Sequence, residues 1–182
     1  MNDFERDKEF ERWCRDNILF WFHLASSLDG RFVFVDKSRC STILQKRFAV
    51  DTIAQRRDGG SIMIEEKMTR YPRRGGELPN FFFETESCTV VGRETPGWMV
   101  YGEADCLLYG FQLEPHPSEH FRLYLIDFQR LKEWFWPRAE EFRRYVMPNT
   151  VNHTAGRLVP IRRVESDVGF RAFETPLKSE AA

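Results

Sequence analysis

The most constraining feature of this sequence is a pair of apolar, β-rich segments separated by a short turn that contains glycine. The segments are RFAVDTIAQ (47–55) and SIMIEEKM (61–68), and RRDGG lies between them. A DG or GG pair between two such segments is a strong local signal for a β-hairpin. The sequence therefore predicts that the two segments form neighbouring antiparallel strands.

The second of these strands ends in three charged residues, Glu65, Glu66 and Lys67. Residues two apart on a strand share a face, so Glu65 and Lys67 are predicted to project together while Glu66 points the other way. A hairpin loop of two or three residues brings Asp51 opposite Glu66 or Glu65, and a three-residue loop sets it directly against Glu65. Two carboxylates and one ammonium group then converge at one end of the hairpin.

This group of charges predicts a metal site. Like charges that face each other across strands are unfavourable, and a divalent cation removes that cost. Hard cations such as Mg²⁺ take oxygen ligands, and a nearby ammonium can position the attacking water or stabilise charge on a phosphate. A cation, a water and a neighbouring positive charge are the parts needed for phosphodiester hydrolysis.

The composition limits the class of protein. The 182 residues suffice for one domain with its own core. A net charge of −1 excludes a basic protein that coats nucleic acid non-specifically, so any polyanion site must be a local patch. No apolar run is long enough for a transmembrane helix, and the charged N-terminus does not resemble a signal peptide.

The cysteines are scattered and form no CxxC pair, which argues against a zinc site. We interpret them as free thiols of a protein in the reducing cytoplasm. They are Cys14, Cys40, Cys88 and Cys106.

The remaining patterns predict a single α/β domain, in which a helix is followed by several strands with a tight hairpin and then by a helix. Asp127 is the predicted N-cap of a helix that Pro137 restarts. The predicted elements are a helix over 3–26, strands over 31–36, 81–88, 104–113 and 121–128, a helical piece over 137–146 and one strand over 156–164. We expect a nuclease-like domain over 1–147, and a C-terminal extension over 148–182 that packs on this domain or reaches a partner.

Asp51 followed by Glu65-x-Lys67, across a hairpin and after an N-terminal helix, resembles the PD-(D/E)XK nuclease superfamily, and in particular its small phage and bacterial proteins. The resemblance covers roughly residues 44–135. It implies a restriction-endonuclease-like fold, which is a mixed β-sheet with the hairpin at its centre and helices on its N- and C-terminal sides. It also implies a hydrolase that cuts nucleic acid. It also implies Mg²⁺ or Mn²⁺ held by Asp51, Glu65 and the backbone carbonyl of Glu66, with Lys67 acting on the attacking water.

Some members of the superfamily add a carboxylate from the first helix or from the strand after the motif. The matching residues of this chain are Glu9, Glu11, Glu84 and Glu86, and the last two are predicted to share one face of FFFETESC. The chain departs from the pattern where Val50 replaces the usual proline before the aspartate. It also shows no long helix between residues 69 and 80.

A basic loop follows Lys67 and could hold a phosphate backbone by charge and stack on a base. Its residues are Arg70, Tyr71, Arg73 and Arg74, and Gln45 is a weaker candidate for a substrate contact. The expected partner is nucleic acid, DNA rather than RNA, with no membrane partner. A homodimer is compatible with cutting both strands of a duplex. The alternative is a non-catalytic binding or inhibitor protein built on the same fold.

Overall fold

The computed structural model describes residues 9–10, 12–14, 32–36, 42–56, 58–70, 78–115, 118–147 and 153–175. Glu9, Phe10 and residues 12–14 are helical, and the rest of the predicted helix over 3–26 lies outside the described residues. The elements are β1 (Phe32–Asp36), α1 (Thr42–Phe48), β2 (Thr52–Arg56), β3 (Ser61–Thr69), β4 (Asn80–Cys88), β5 (Thr95–Pro96), α2 (Trp98–Tyr101), β6 (Cys106–Gln112), β7 (Phe121–Asp127), α3 (Phe128–Phe135), a 3₁₀ helix (Trp136–Glu141), β8 (Arg143–Val146), β9 (Ala155–Pro160), α4 (Ile161–Asp167) and β10 (Arg171–Thr175).

The predicted hairpin is confirmed by the pairing of β2 with β3. The two strands are antiparallel, with Thr52 opposite Ile64 and Gln55 opposite Ser61. Continuing this register by one residue sets Asp51 opposite Glu65, the arrangement predicted for a three-residue loop. Because the loop fixes the register, the hairpin itself brings the acidic residues together.

The first sheet is mixed and has six strands in the order β1-β2-β3-β6-β7-β10. Its one parallel pair within the described chain is β3 with β6, and the other neighbours are antiparallel. Parallel neighbours require a crossover connection. Here the crossover carries β4, β5 and α2 rather than one long helix.

A second sheet corrects the prediction of a single sheet. It has four strands in the order β5-β4-β9-β8, all antiparallel. The predicted strand over 81–88 exists, but it belongs to this second sheet. Phe81 and Phe83 on β4 are fully buried and stack on each other at 5.6 Å. Two such rings need a partner layer to cover them, so β4 packs across the first sheet instead of extending it.

The C-terminal part of the chain contains one confirmed and one wrong prediction. The Asp127 carboxylate accepts from Arg130 N–H at 2.9 Å and caps α3, as predicted. Pro137 restarts the helix, but as a 3₁₀ helix that ends at Glu141. Helix through residue 146 is wrong, because Arg143–Val146 pairs with β9 as the edge strand of the second sheet.

Residues 155–175 contribute one strand to each of the two sheets. The predicted strand over 156–164 is confirmed as β9 up to Pro160, beyond which the chain is helical. β9 lies between β4 and β8, and β10 forms the edge of the first sheet beside β7. This part of the C-terminal segment is therefore built into the same α/β domain.

Alternating residues of β6 and β7 divide the core between the two faces of the first sheet. One face, which includes Leu107 and Tyr109, packs on the second sheet and α3. The other face, which includes Leu108, packs on Phe10 and Cys14 of the N-terminal helical residues. None of the described helices is long and apolar enough to cross a membrane.

Candidate functional site

Asp51 is held at the point where the chain enters β2. Its N–H donates to the Ile64 carbonyl at 2.9 Å, and its Oδ2 accepts from the Glu66 N–H at 3.0 Å. Two residues earlier, Ala49 is buried with a φ of 47°, a left-handed conformation that costs free energy for a residue with a Cβ. Backbone bonds on both sides and this tight turn therefore fix the carboxylate against β3.

Glu65 and Lys67 project from the same face of β3, as predicted. Glu65 is only 2% exposed, and its Oε1 lies 2.5 Å from Lys67 Nζ. Lys67 Nζ also lies 5.3 Å from the centre of the Trp98 ring, a cation–π distance. The pair is therefore enclosed by protein on the Glu65 side and bounded by an aromatic ring on the Lys67 side.

Burial and neighbouring charge shift the pKa values of both Glu65 and Lys67. Burial raises the pKa of Glu65 to about 8, the charge of Lys67 opposes the rise, and the charge of Asp51 adds to it. Burial by itself lowers the pKa of Lys67, but the carboxylates of Glu65 and Asp51 outweigh it and hold that pKa above its ordinary value. Lys67 is thus a stable cation beside two acids that repel each other.

One oxygen of Glu65 has no hydrogen-bond donor among the described residues, and its acidic neighbour is Asp51. Oε2 is buried and accepts no hydrogen bond from any residue that the structure describes. A buried carboxylate oxygen without a donor is costly, and it sits beside a second carboxylate. Two hard oxygen donors of this kind fit Mg²⁺ or Mn²⁺. Among the described residues, no three His, Cys, Asp or Glu side chains gather at one point, so a cation here would rely on these two carboxylates, main-chain oxygens and water.

Glu66 points to the opposite face, as predicted. Its carboxylate accepts a hydrogen bond from the hydroxyl of the buried Thr52. The Glu66 side chain is therefore engaged away from Glu65. Only its main chain remains on the side of the proposed metal.

A β-bulge separates Glu84 from Glu86 on β4. They face Gly156 and Ala155, which are consecutive residues of β9. Consecutive residues of a strand point to opposite faces, so the prediction that the two glutamates share a face is wrong. Glu84 lines the same cavity as Lys67, whereas Glu86 pairs with Arg144 at 3.0 Å.

A cavity of about 580 Å³ opens beside Asp51 and Lys67. Its wall combines these charged groups with aromatic side chains from both sheets and from α2. The aromatic residues that line it include Phe10, Phe82, Trp98, Tyr109 and Phe111. The volume lies within the roughly 300–1,000 Å³ typical of small-molecule sites.

Of the other predicted site residues that the structure describes, Arg70 lines the cavity, whereas Glu9 and Gln45 do not. Glu9 is exposed, Gln45 is half-buried on α1, and neither lines the cavity. Arg70 does line it, with its guanidinium 4.8 Å from the centre of the Phe10 ring. The residues Glu11, Tyr71, Arg73 and Arg74 lie outside the described part of the chain.

Two residues near the charges were missed by sequence reasoning, Trp98 and Tyr101 on α2. The pKa of Tyr101 is raised by burial and then by the charge of Glu65. α2 approaches β4 closely because Gly97 precedes it, where a Cβ would lie 2.5 Å from the Glu84 carbonyl oxygen. The GWMVYG stretch carried this signal, since a glycine before aromatic residues allows close packing.

Comparison with known proteins identifies no relative. No protein family, no curated protein and no solved structure matches the chain.

Proposed function

We propose that this protein is a metal-dependent nuclease of the PD-(D/E)XK type, acting on DNA in preference to RNA with Mg²⁺ or Mn²⁺. One observation carries the proposal. The buried Glu65 has an oxygen that no described residue satisfies, and it lies beside Asp51 and pairs with Lys67. A cation would balance the two carboxylates and occupy that oxygen.

The topology supports the same interpretation. The acidic residues lie on a hairpin, and the strand that carries Glu65 and Lys67 is followed by a crossover to the parallel strand β6. A mixed sheet with this hairpin at its centre is the arrangement that a restriction-endonuclease-like fold would require. The crossover differs from the expected one, because it brings a second sheet to the site.

Each side chain would have a separate role. Asp51 and Glu65 would hold the cation, which when bound supplies positive charge to the scissile phosphate and lowers the pKa of water. Lys67 remains an ammonium, so it would orient the attacking water and stabilise developing charge. Glu84, at the edge of the same cavity, would orient the groups around the cation.

The first experiment is a cleavage assay on supercoiled plasmid, linear duplex, single-stranded DNA, a four-way junction and RNA. Each would be incubated with Mg²⁺, Mn²⁺ or EDTA, using wild type, Lys67→Ala and Arg122→Ala as the matched control. Loss of an aligned catalytic side chain costs about 10²- to 10⁴-fold in rate. We expect metal-dependent cleavage that falls by that factor in Lys67→Ala and is unchanged in Arg122→Ala.

The alternative of a non-catalytic binding protein is tested by the same samples. If Lys67→Ala folds and cuts as fast as wild type, the proposed mechanism is wrong. If no substrate is cut and calorimetry detects no Mn²⁺ binding, the protein is better described as a binding or inhibitor protein.

A further inference from the structure

One face of the second sheet forms an aromatic wall of the cavity. Phe82 of β4 and Leu158 of β9 are paired across the sheet and both line the cavity. Arg143 of β8 pairs with Leu158 in the same row and is exposed. Residues paired directly across strands share a face, so an aromatic ring, an aliphatic side chain and a guanidinium form one row.

The next row along the same face adds a second ring. Glu84 faces Gly156, and Gly156 faces Tyr145 of β8. The Tyr145 ring stands at 88° to the Phe82 ring, with centroids 6.3 Å apart. Since Tyr145 is 39% exposed, the two rings form a corner that is open to solvent.

Phe82 is fixed in position by both sheets. Its N–H donates to the Tyr109 hydroxyl at 3.1 Å, which ties β4 to β6. Its ring lies over Gly156, where a Cβ would come within 2.8 Å of the ring's Cε2 and Cζ atoms. A ring held in this way loses little further freedom when a flat ligand packs against it.

The lining of the cavity suits a ligand that is both anionic and aromatic. Within the cavity, Lys67 provides positive charge and Phe82 and Trp98 provide rings. Beside it, on the same face of the second sheet, Arg143 adds a charge and Tyr145 a ring. A nucleotide whose phosphate reached Lys67 would have Phe82 in the same cavity as a surface for its base. A base that is paired inside a duplex cannot stack on a side chain unless it leaves the helix.

We propose that this cavity takes an unpaired nucleotide of a single strand, with Phe82 and Tyr145 as the stacking surface for its base. Arg143, on the same face, would contact the phosphate of a neighbouring nucleotide. The inference rests on the proposed function, because it names the substrate class of the same site. The chemistry is shared by single-stranded DNA and RNA, and the experiment separates them.

The test is binding measured by fluorescence anisotropy in EDTA, where turnover does not interfere. The probes are short labelled single strands of DNA and of RNA, and a blunt DNA duplex of the same sequence. The variants are Phe82→Leu, which keeps apolar bulk, and Tyr145→Ala and Tyr145→Phe. Trp136→Ala is the matched control, since Trp136 is 40% exposed and does not line the cavity.

We expect at least one single strand to bind about tenfold or more tightly than the duplex. Phe82→Leu and Tyr145→Ala should each weaken that binding about tenfold, while Tyr145→Phe and Trp136→Ala should not. Equal affinity for duplex and single strands, or unchanged binding by Tyr145→Ala, would overturn the inference. If Phe82→Leu does not fold, the comparison of Tyr145→Ala with Tyr145→Phe tests the inference by itself, because Tyr145 is exposed.

Failure of this inference can be distinguished from failure of the proposed function. Ring-dependent binding of single strands, with no cleavage of any substrate, would keep the ligand assignment and reject the nuclease. Metal-dependent cleavage of duplexes by wild type and Tyr145→Ala at equal rates would keep the nuclease and reject the stacking surface.

Discussion

Two carboxylate–cation pairs on the first sheet differ in how far they are buried and in the direction in which the pKa of the acid is shifted. Arg122 and Glu174 face each other across β7 and β10, with Nη2 at 2.7 Å from Oε1, and 32% and 45% of the side chains are exposed. Glu65 and Lys67 lie two apart on β3, and the Glu65 side chain is only 3% exposed. The exposed pair lowers the pKa of Glu174, whereas burial raises that of Glu65.

The difference separates an exposed structural ion pair from the buried acid of the proposed metal site. At the sheet edge, water screens both charges, Arg122 donates twice to Oε1 of Glu174, and His120 lies 3.6 Å from Oε2, so each oxygen has a neighbouring donor group. On β3, the ammonium satisfies only one oxygen, and Asp51 adds a second negative charge. A buried acid whose pKa is raised beside a second acid and a cation is a feature of functional sites rather than of exposed surfaces.

The largest expected difference between the two pairs is in metal affinity. Glu65→Gln removes a proposed ligand while keeping the shape of the side chain. Loss of residues that only orient ligands already costs about 10- to 100-fold in metal affinity, so we expect at least about a 100-fold loss here. Titration with Mn²⁺ by calorimetry measures it.

Glu174→Gln is the control for that titration and should bind Mn²⁺ as wild type does. Equal affinity of wild type and Glu65→Gln would show that Glu65 is not a ligand and would remove the metal site.

A smaller effect distinguishes two glutamates of β4. Glu84→Gln should reduce metal-dependent cleavage about tenfold, because Glu84 lines the cavity and would orient groups around the cation. Glu86→Gln is matched in strand and chemistry, but Glu86 pairs with Arg144 on the other face and should leave the rate unchanged. The measurement is the cleavage rate on the best substrate of the panel. Equal losses in both variants would contradict the placement of Glu84 at the site.

The smallest expected effect is on stability, where the two acids should have opposite pH dependence. In EDTA, folded Glu65 keeps a proton that the unfolded chain loses between about pH 4.5 and 8, so its contribution to stability falls as pH rises. The free energy of unfolding of Glu65→Gln should therefore rise relative to that of wild type as the pH increases from about 4.5 to 8. Glu174 has a lowered folded pKa, so its contribution is present above about pH 4.5 and is lost as pH falls through that folded pKa.

Glu174→Gln should accordingly lower the free energy of unfolding by less than about 1 kcal/mol at neutral pH, and it should not change this free energy in strong acid. Urea unfolding at several pH values measures both variants. Parallel pH curves for the two variants would show that Glu65 titrates as an exposed acid does.

The sequence predicted the features that depend on local pairing. A short turn limits the hairpin register, so the spacing left Asp51 opposite either Glu65 or Glu66, and the structure has the first arrangement. The cap at Asp127 followed in the same way. The resemblance to a nuclease superfamily used these local features, and the activity it implies stays a prediction.

The second sheet could not be predicted in this way. Phe81 and Phe83 indicate a buried strand, but nothing near them in the chain specifies β9 as the partner. The bulge that separates Glu84 from Glu86 is likewise set by the partner strand and not by the sequence of β4. Tertiary pairing also overrides local propensity at Arg143–Val146, where a helical pattern becomes an edge strand.

The pairing of Phe82 with Leu158 has a consequence for how the protein is made. The hairpin that carries the charged groups is synthesised early, and it can form while the chain is still growing. The aromatic wall needs β9, which is synthesised well after the hairpin. Contacts between such distant segments form late in folding. A growing chain would thus contain the charged hairpin before the aromatic wall, so the proposed site would be complete only after β9 has been added.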